Sequence, residues 1–501
     1  MAKYVFGIDL GTTYSCIAYV DETGRATVVN NSEGTNTTPS VVNFASPSQV
    51  VVGQVAKENA VIDPDNTISL VKTLMGKTDF AISYNGEDKS PEEVSAYILR
   101  KVAEDAGKML DTEVKDVVIT CPAYFGTAER TATKNAGIIA GLNVLEVISE
   151  PTAAALYYGC AREQEEKTIL VFDLGGGTFD VTIMNISSEK IEIICSDGNH
   201  ELGGKDWDEA VMRYLAEEFI SQTGFDGEFD EYAQQDMRLK AEKAKQQLTS
   251  RDQVPVMLDA AGLRARINLT REKFDEITSA LLGEAIEKTE SAIDVAKGAA
   301  IHAVNVYVNN QKSLEPGDVG ETTVNVGGAT KEINADDYKE ELAVQPEMMS
   351  IGGKTRQVVV ATTKSFAIEV LINGESKCCN MIIKNEPMPD GSISVTKEFG
   401  TNVANQESAE LVVYESDFME ETFDVDKDFV LGTATLELPG NLPAGSPIQV
   451  TFTLSTEGIL EVSGVDKTTG REVHATMQAK GIMAEEKVDE LKEKSKQMVV
   501  M

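Results

Sequence analysis

Two short segments carry the residues best able to do chemistry: Asp9-Leu10-Gly11-Thr12-Thr13-Tyr14 and Asp173-Leu174-Gly175-Gly176-Gly177-Thr178. Each ends a hydrophobic run on an aspartate, then turns on glycine and threonine. Glycine permits positive φ and close backbone approach, so successive N–H groups can converge on a phosphate. Asp9 and Asp173, facing one another from two such turns, suit a hydrated Mg²⁺ held through its waters. One turn alone fits an ordinary Gly-rich hairpin equally well. The recurrence of strand, Asp-Leu-Gly turn and strand favours two phosphate turns in a duplicated domain. Two other strings fail as nucleotide motifs. MGKT at 75–78 ends like a P-loop, but Val71 stands where the upstream glycine belongs, and GGGTF lacks both the G-x-G-x-x-G spacing and a helix directly after it.

The elements that must position these turns alternate in an α/β pattern over residues 1 to about 308, as in DVVIT followed by TAERTATKNAGIIAGL. Residues 309–357 are acidic and Gly-rich with little hydrophobic periodicity over 312–356, and read as an insertion and mobile linker. From 358 to 478 short strands with regular turn signals predict an antiparallel sandwich. Residues 479–501, with AEEKVDELKEKSKQ, predict the start of a charged helix.

A chain of 501 residues exceeds one hydrophobic core. No apolar run is long enough to span a bilayer and the N-terminus, broken by Asp9, is no signal peptide, so a cytoplasmic protein without a membrane role is expected. The net charge of −37 argues against nucleic-acid partners. Six scattered cysteines suit reduced core thiols, and with three distant histidines no zinc pattern exists.

GIDLGTTYS, EGTNTTPSVV, VGQVAKENA, VVITCPAYF, ISEPTAAALYYG, LVFDLGGGTFDVTI, HELGGKDWD and AEKAKQQLTS, in that order, resemble the signatures of the DnaK-type, seventy-kilodalton heat-shock chaperones. The resemblance implies an actin-like (ribonuclease H-like) ATPase domain of two duplicated halves plus an all-β peptide-binding sandwich. It implies ATP/ADP and Mg²⁺ as cofactors, and unfolded polypeptides, a J-domain co-chaperone and a nucleotide exchange factor as partners. By motif, Thr12, Thr13 and Tyr14 beside Asp9 and Gly11, and Gly175, Gly176, Gly177 and Thr178, are the phosphate contacts, with Gly203 and Gly204 close by. Lys72 matches the lysine that orients attacking water, although by residue type alone it is an ordinary solvated lysine. Glu150, Asp173, Thr178 and Asp180 match residues that place water and metal. Glu242, Lys245 and Thr249, on one helix face, match the adenosine contacts. Pro122 matches the switch proline and Arg130 the relay arginine. The valines Val358, Val359 and Val360 match the interdomain linker or, read plainly, begin the sandwich's first strand.

The family follows a helix like the one ending TESAI with a buried strand, a GGSTR-type turn and another helix; here TESAI runs directly into DVAKGAAIHAV near 293–295. The missing section would form one wall of the adenine pocket and one strand of the second half's sheet, so a hydrolysis-deficient peptide holdase is the alternative to an ATP-driven chaperone. In the second module the resemblance places Ile368, Val370, Leu371, Phe399, Ala409 and Leu411 around the peptide groove. As strand residues two apart, Ala409 and Leu411 share a face, which fits sandwich core nearly as well. The family closes that groove with a helical lid, of which 479–501 would be the beginning.

Overall fold

The computed structural model describes the chain except for residues 1–3, 23, 78–81, 85–86, 162–166, 188–189, 313–321, 327–328, 334–356, 373, 389–390, 457 and 478–482. The apolar run before Asp9 forms β1 (Phe6–Asp9), which the glycine turn sends back antiparallel as β2 (Tyr14–Val20), followed by β3 (Ala26–Val28). After helices α1 (Gln54–Asn59) and α2 (Pro91–Leu110), the chain returns as β4 (Asp116–Cys121), α3 (Thr127–Ile139) and β5 (Asn143–Ser149). The sheet order is β5-β4-β1-β2-β3, with β4 parallel to β1 and to β5. Helix α2 starts cleanly because the Ser90 side chain caps the Glu93 N–H and Pro91 opens the first turn. It packs Val94, Tyr97 and Ile98 over Phe6, Ile8, Val117 and Ile119, so β1 is covered on its face and paired on both edges.

The second half opens with α4 (Glu150–Ala161) and repeats the meander as β6 (Lys167–Leu174), β7 (Phe179–Ile186) and β8 (Lys190–Asn199). Helices α5 (Gly204–Thr223) and α6 (Glu231–Leu248) and a hairpin, Gln253–Ala260 with Leu263–Thr270, share a core around Phe219, Val256 and Ile267. Helix α7 (Arg271–Lys312) then runs unbroken for 42 residues through the 293–295 junction. No strand intervenes there, so β6 is an edge. The order is β6-β7-β8-β9 and then Pro387–Met388, where β9 (Gln357–Ala361) lies parallel to β8.

The valine run thus joins the second half's sheet, and the sandwich proper begins with β10 (Ser365–Ile372). Its two antiparallel sheets hold β10 between Glu375–Ile382 and Ser408–Ser416 in one, and Ser392–Gly400 beside Pro447–Ser455 in the other. Their facing sides close over Val413, Phe452 and Leu460. Helix α8 (Glu485–Gln497) does not stand apart: Val488 and Leu491 pack on Ala96 of α2 and Ile139 of α3, and Val499–Val500 adds a parallel strand to Gln49–Val52. The linker expected over 312–356 lies largely outside the described residues, which include there a short hairpin, Thr322–Val326 with Ala329–Ile333. The five described cysteines form no disulfide, and no described helix is long and apolar enough to cross a membrane.

Candidate functional site

The two glycine turns meet between the halves. A side chain on Gly176 would run into Thr13 Oγ1, one on Gly177 would lie 2.7 Å from Thr12 Cγ2, and one on Gly203 would strike the Gly177 backbone. Only glycine fits this approach. The second turn is closed by Gly175 N–H to Thr178 O at 2.9 Å and carried on α5 by Gly204 N–H to Gly175 O and Lys205 N–H to Gly176 O, both 2.8 Å.

Around the turns stand the carboxylates. Thr120 on β4 donates to Asp9 Oδ1 at 2.9 Å, orienting it. Asp173 and Asp180 lie directly opposite in the β6–β7 ladder. Burial, with Asp9, raises the Asp173 carboxyl above its ordinary range; burial, with Glu150 and Asp173, raises Asp180 further. Asp180 Oδ1 is buried with no hydrogen-bond partner, an arrangement that costs free energy unless something polar or cationic answers it.

Lys72, in the short 3-10 turn Val71–Leu74, is buried and ion-paired with Glu150 at the start of α4. Burial alone would lower its pKa, but Glu150 and Asp9 outweigh that and hold the ammonium charged. Burial raises Glu150, with Lys72 as the main opposing influence. Thr178 is buried and hydrogen-bonded to Tyr124, whose ring meets His200 edge-on at 3.8 Å.

Toward the mouth, α1 of the first half and α6 of the second are tied together. Lys57 Nζ reaches Glu242 Oε2 at 2.6 Å and Tyr14 Oη at 3.0 Å, and Tyr14 Oη donates to Glu242 Oε1 at 3.0 Å. A cavity of about 280 Å³ lies beneath, lined by Thr12, Thr13, Lys57, Asp208, Arg238 and Glu242 among others. Lys245 instead bonds Asp208 at 2.7 Å and Gly204 O at 2.8 Å, and Thr249, exposed, caps the end of α6. Lys57, Thr120 and Tyr124 went unread in the sequence. Each acts through a partner far along the chain, and only their places within VGQVAKENA and VVITCPAYF marked them.

These residues fit a nucleotide phosphate with a divalent cation: glycine turns free of Cβ atoms, oxygen ligands, and one buried oxygen without a partner. Among the described residues no three His, Cys, Asp or Glu side chains converge as a ligand set.

The remaining predicted residues fall elsewhere. Pro122 and Arg130 border the site: Arg130 Nε donates to Phe125 O at 2.9 Å, pinning the turn that follows Pro122. The backbones of Val358, Val359 and Val360 form β9, and just beyond it Thr363 Oγ1 donates to Phe125 O at 3.4 Å. In the sandwich, Ile368 and Leu411 are buried core and Val370, Phe399 and Ala409 pack half-buried against it. Leu371 is exposed, as are Ile372 and Val403, which the sequence reading missed. The β10–Ser408 register puts Ile372 and the 401–407 loop at the same end of the sandwich. Apolar residues at loop ends were the available signal.

The profile of the family described as Hsp70 protein matches residues 5–82 and 77–500. Proteins named "Chaperone protein DnaK" from Thermosipho melanesiensis, Thermosipho africanus and Thermotoga neapolitana are 35%, 36% and 35% identical, over 99% of this chain and 83% of each relative. The alignments, of 518 to 523 positions, are longer than the chain and therefore open gaps in it.

Proposed function

The chain belongs to the Hsp70 family, and from that premise we propose that it is an ATP-driven chaperone of the cytoplasm, binding and releasing exposed hydrophobic segments of unfolded proteins. The convergence of Asp9, Lys72, Glu150, Asp173, Thr178 and Asp180 beside two facing glycine turns carries this reading. Bound with Mg²⁺, ATP supplies the phosphoanhydride whose hydrolysis drives the cycle. The turns' N–H groups would hold its phosphates, and Asp9 and Asp173 would hold the hydrated cation. The Lys72 ammonium, held by Glu150, is aimed to stabilise charge developing on the terminal phosphate. Glu242 and Lys245 on α6, with Thr249 at its C-cap, would take the adenosine.

The sandwich takes an extended apolar segment at the end carrying Leu371, Ile372 and Val403, with the half-buried Val370, Phe399 and Ala409 beneath and the buried Ile368 and Leu411 as floor. Pro122, Arg130 and the valine strand relay between the modules through Phe125 O. A J-domain co-chaperone and a nucleotide exchange factor are the expected partners.

The edge position of β6 favours a second reading, in which the adenine wall is too incomplete for turnover and the chain acts as a peptide holdase. ATP turnover measured with and without a reduced, unfolded protein separates the two. Peptide-stimulated hydrolysis supports the driven chaperone; peptide binding without any turnover supports the holdase.

A further inference from the structure

The sandwich meets the nucleotide module at a charged point, besides the Ser196 N–H to Asn385 Oδ1 bond at 3.1 Å and the Thr363 contact with Phe125 O. The N-terminus of α3 begins at Gly126, which has no side chain to cap it, and the carboxylate of Glu415 on the Ser408–Ser416 strand takes that place. Glu415 Oε1 accepts the Thr127 N–H at 3.3 Å. A Cβ on Gly126 would lie 2.5 Å from Glu415 Oε1 and 3.2 Å from Glu129 Oε2. The two carboxylate oxygens are therefore within about 6 Å, where each disfavours ionisation of the other. Ala128 packs against the sandwich core and Gly458 abuts Thr127, so water is largely excluded.

The charged groups facing this point come from every element around it. Glu129 belongs to α3. Lys364, from the connector after β9, and Lys384 are both paired with Asp417, at 2.6 and 3.1 Å. The Arg130 guanidinium is turned to Phe125 O and Ala123 O. His200, its pKa lowered to about 4 by partial desolvation and then by Lys364, is neutral at neutral pH. None of these cations bonds Glu415.

We propose that Glu415 is a protonation-dependent latch: its neutral carboxyl seats the sandwich on the N-terminus of α3, and its ionisation next to Glu129 loosens that seat. A neutral carboxyl keeps a carbonyl oxygen for the Thr127 N–H and removes the repulsion. Burial, then Glu129, pushes the Glu415 carboxyl up from 4.5 to about 7, against the pull of the Thr127 N–H and Lys364. Freed from the seam it returns to the ordinary value. The docked form thus binds the proton more tightly, so docking is strongest below pH 4.5, weakens as pH rises toward about 7 and is level above that. Across that window the docking equilibrium falls by up to roughly 300-fold.

The test is hydrogen–deuterium exchange at the start of α3, with small-angle scattering of the full chain, from pH 5.5 to 8.5. Exchange rates are corrected for intrinsic pH dependence. Wild type should lose protection and expand as pH rises. Glu415→Gln, which keeps the acceptor without the charge, should stay docked throughout, and Glu129→Gln should move the midpoint to higher docking at neutral pH. If Glu415→Gln follows the wild-type profile, or wild type is equally docked or equally open across the range, the latch is wrong. Glu129→Gln keeps the test decisive if Glu415→Gln fails to fold; an unchanged midpoint in it also overturns the proposal.

Discussion

The same strand, Asp-Leu-Gly turn and strand occurs in both halves of the nucleotide module, but in different company. In the first half β1 is central, with β4 and β2 on either side and Phe6 and Ile8 essentially inaccessible. In the second half β6 is an edge, and Leu170, Phe172 and Leu174 on one face are 41%, 47% and 38% exposed. The turns nevertheless span the same length, Asp9 pairing with Cys16 and Asp173 with Asp180, and the second is closed within itself by Gly175 N–H to Thr178 O. The turn itself is thus a local property, whereas burial and the orientation of the aspartate come from the neighbouring strand. Three exposed apolar side chains on one face of an unpaired edge, interrupted only by Asp173 on the opposite face, also form a surface prone to association.

The largest effect expected from this comparison falls in the first half, whose buried frame positions Lys72. Lys72→Ala should lower hydrolysis about 10²- to 10³-fold while nucleotide binding changes little, because the ammonium acts on charge that develops only in the transition state. Single-turnover rates alongside equilibrium binding check this; equal losses in both would mean that Lys72 merely holds ground-state phosphate or the fold.

Matched truncations weigh the two strands directly. Phe6→Ala, deep beside Ile8 and Tyr97, should destabilise the nucleotide module by about 3–5 kcal/mol. Phe172→Ala should cost less than about 1 kcal/mol, and Phe172→Thr should reduce aggregation. Denaturant midpoints of the two variants falling together would break the comparison, showing β6 to be covered in solution.

Supplying β6 with a neighbour tests the other direction. Inserting a relative's strand, GGSTR-type turn and helix after Ile293 should bury Leu170, Phe172 and Leu174. It should also tighten ATP binding by about 2–4 kcal/mol, roughly 30- to 1,000-fold. Trp207, packed near Leu202 and Phe179, offers an intrinsic fluorescence readout. Equal affinity in both chains would show that the gap does not damage the adenine site.

What was legible in the sequence follows the same division between local and distant causes. The glycine turns, the α/β alternation and the sandwich were readable because residue type and spacing within a few positions determine them. Lys72 was not readable from its type: it is buried through a short turn entered at Leu70 with φ of 59°, and its partner Glu150 lies 78 residues away. The Lys57–Tyr14–Glu242 tie is equally non-local, at 185 residues between Lys57 and Glu242. A run of valines announces a strand, but which sheet it joins depends on the edge left free, so Gln357–Ala361 went to β8 and not to the sandwich. Of the expected groove residues, alternation gave the shared face of Ala409 and Leu411 and left groove and core open; Leu411 is buried core, while Leu371, like Ile372 and Val403 outside the expected set, is exposed.

The smallest predicted effect isolates what the neighbouring strand gives to the aspartate. Thr120 belongs to β4, paired with β1, and its hydroxyl fixes Asp9 Oδ1 at 2.9 Å. Among the described residues no strand pairs with the outer edge of β6, and no hydroxyl is seen bonded to Asp173 there. Thr120→Val keeps the shape and β-propensity of the side chain and removes only the donor. A hydrogen bond to an ionised group contributes about 1.5–3 kcal/mol when intact, but Asp9 freed from Thr120 can be rehydrated in the cleft. The net cost should be about 1 kcal/mol, or several-fold in affinity, appearing for ATP with Mg²⁺ and not for ATP in excess EDTA. The same loss with and without the cation would place the role of Thr120 in the sheet, and the orientation of Asp9 would then owe nothing to β4.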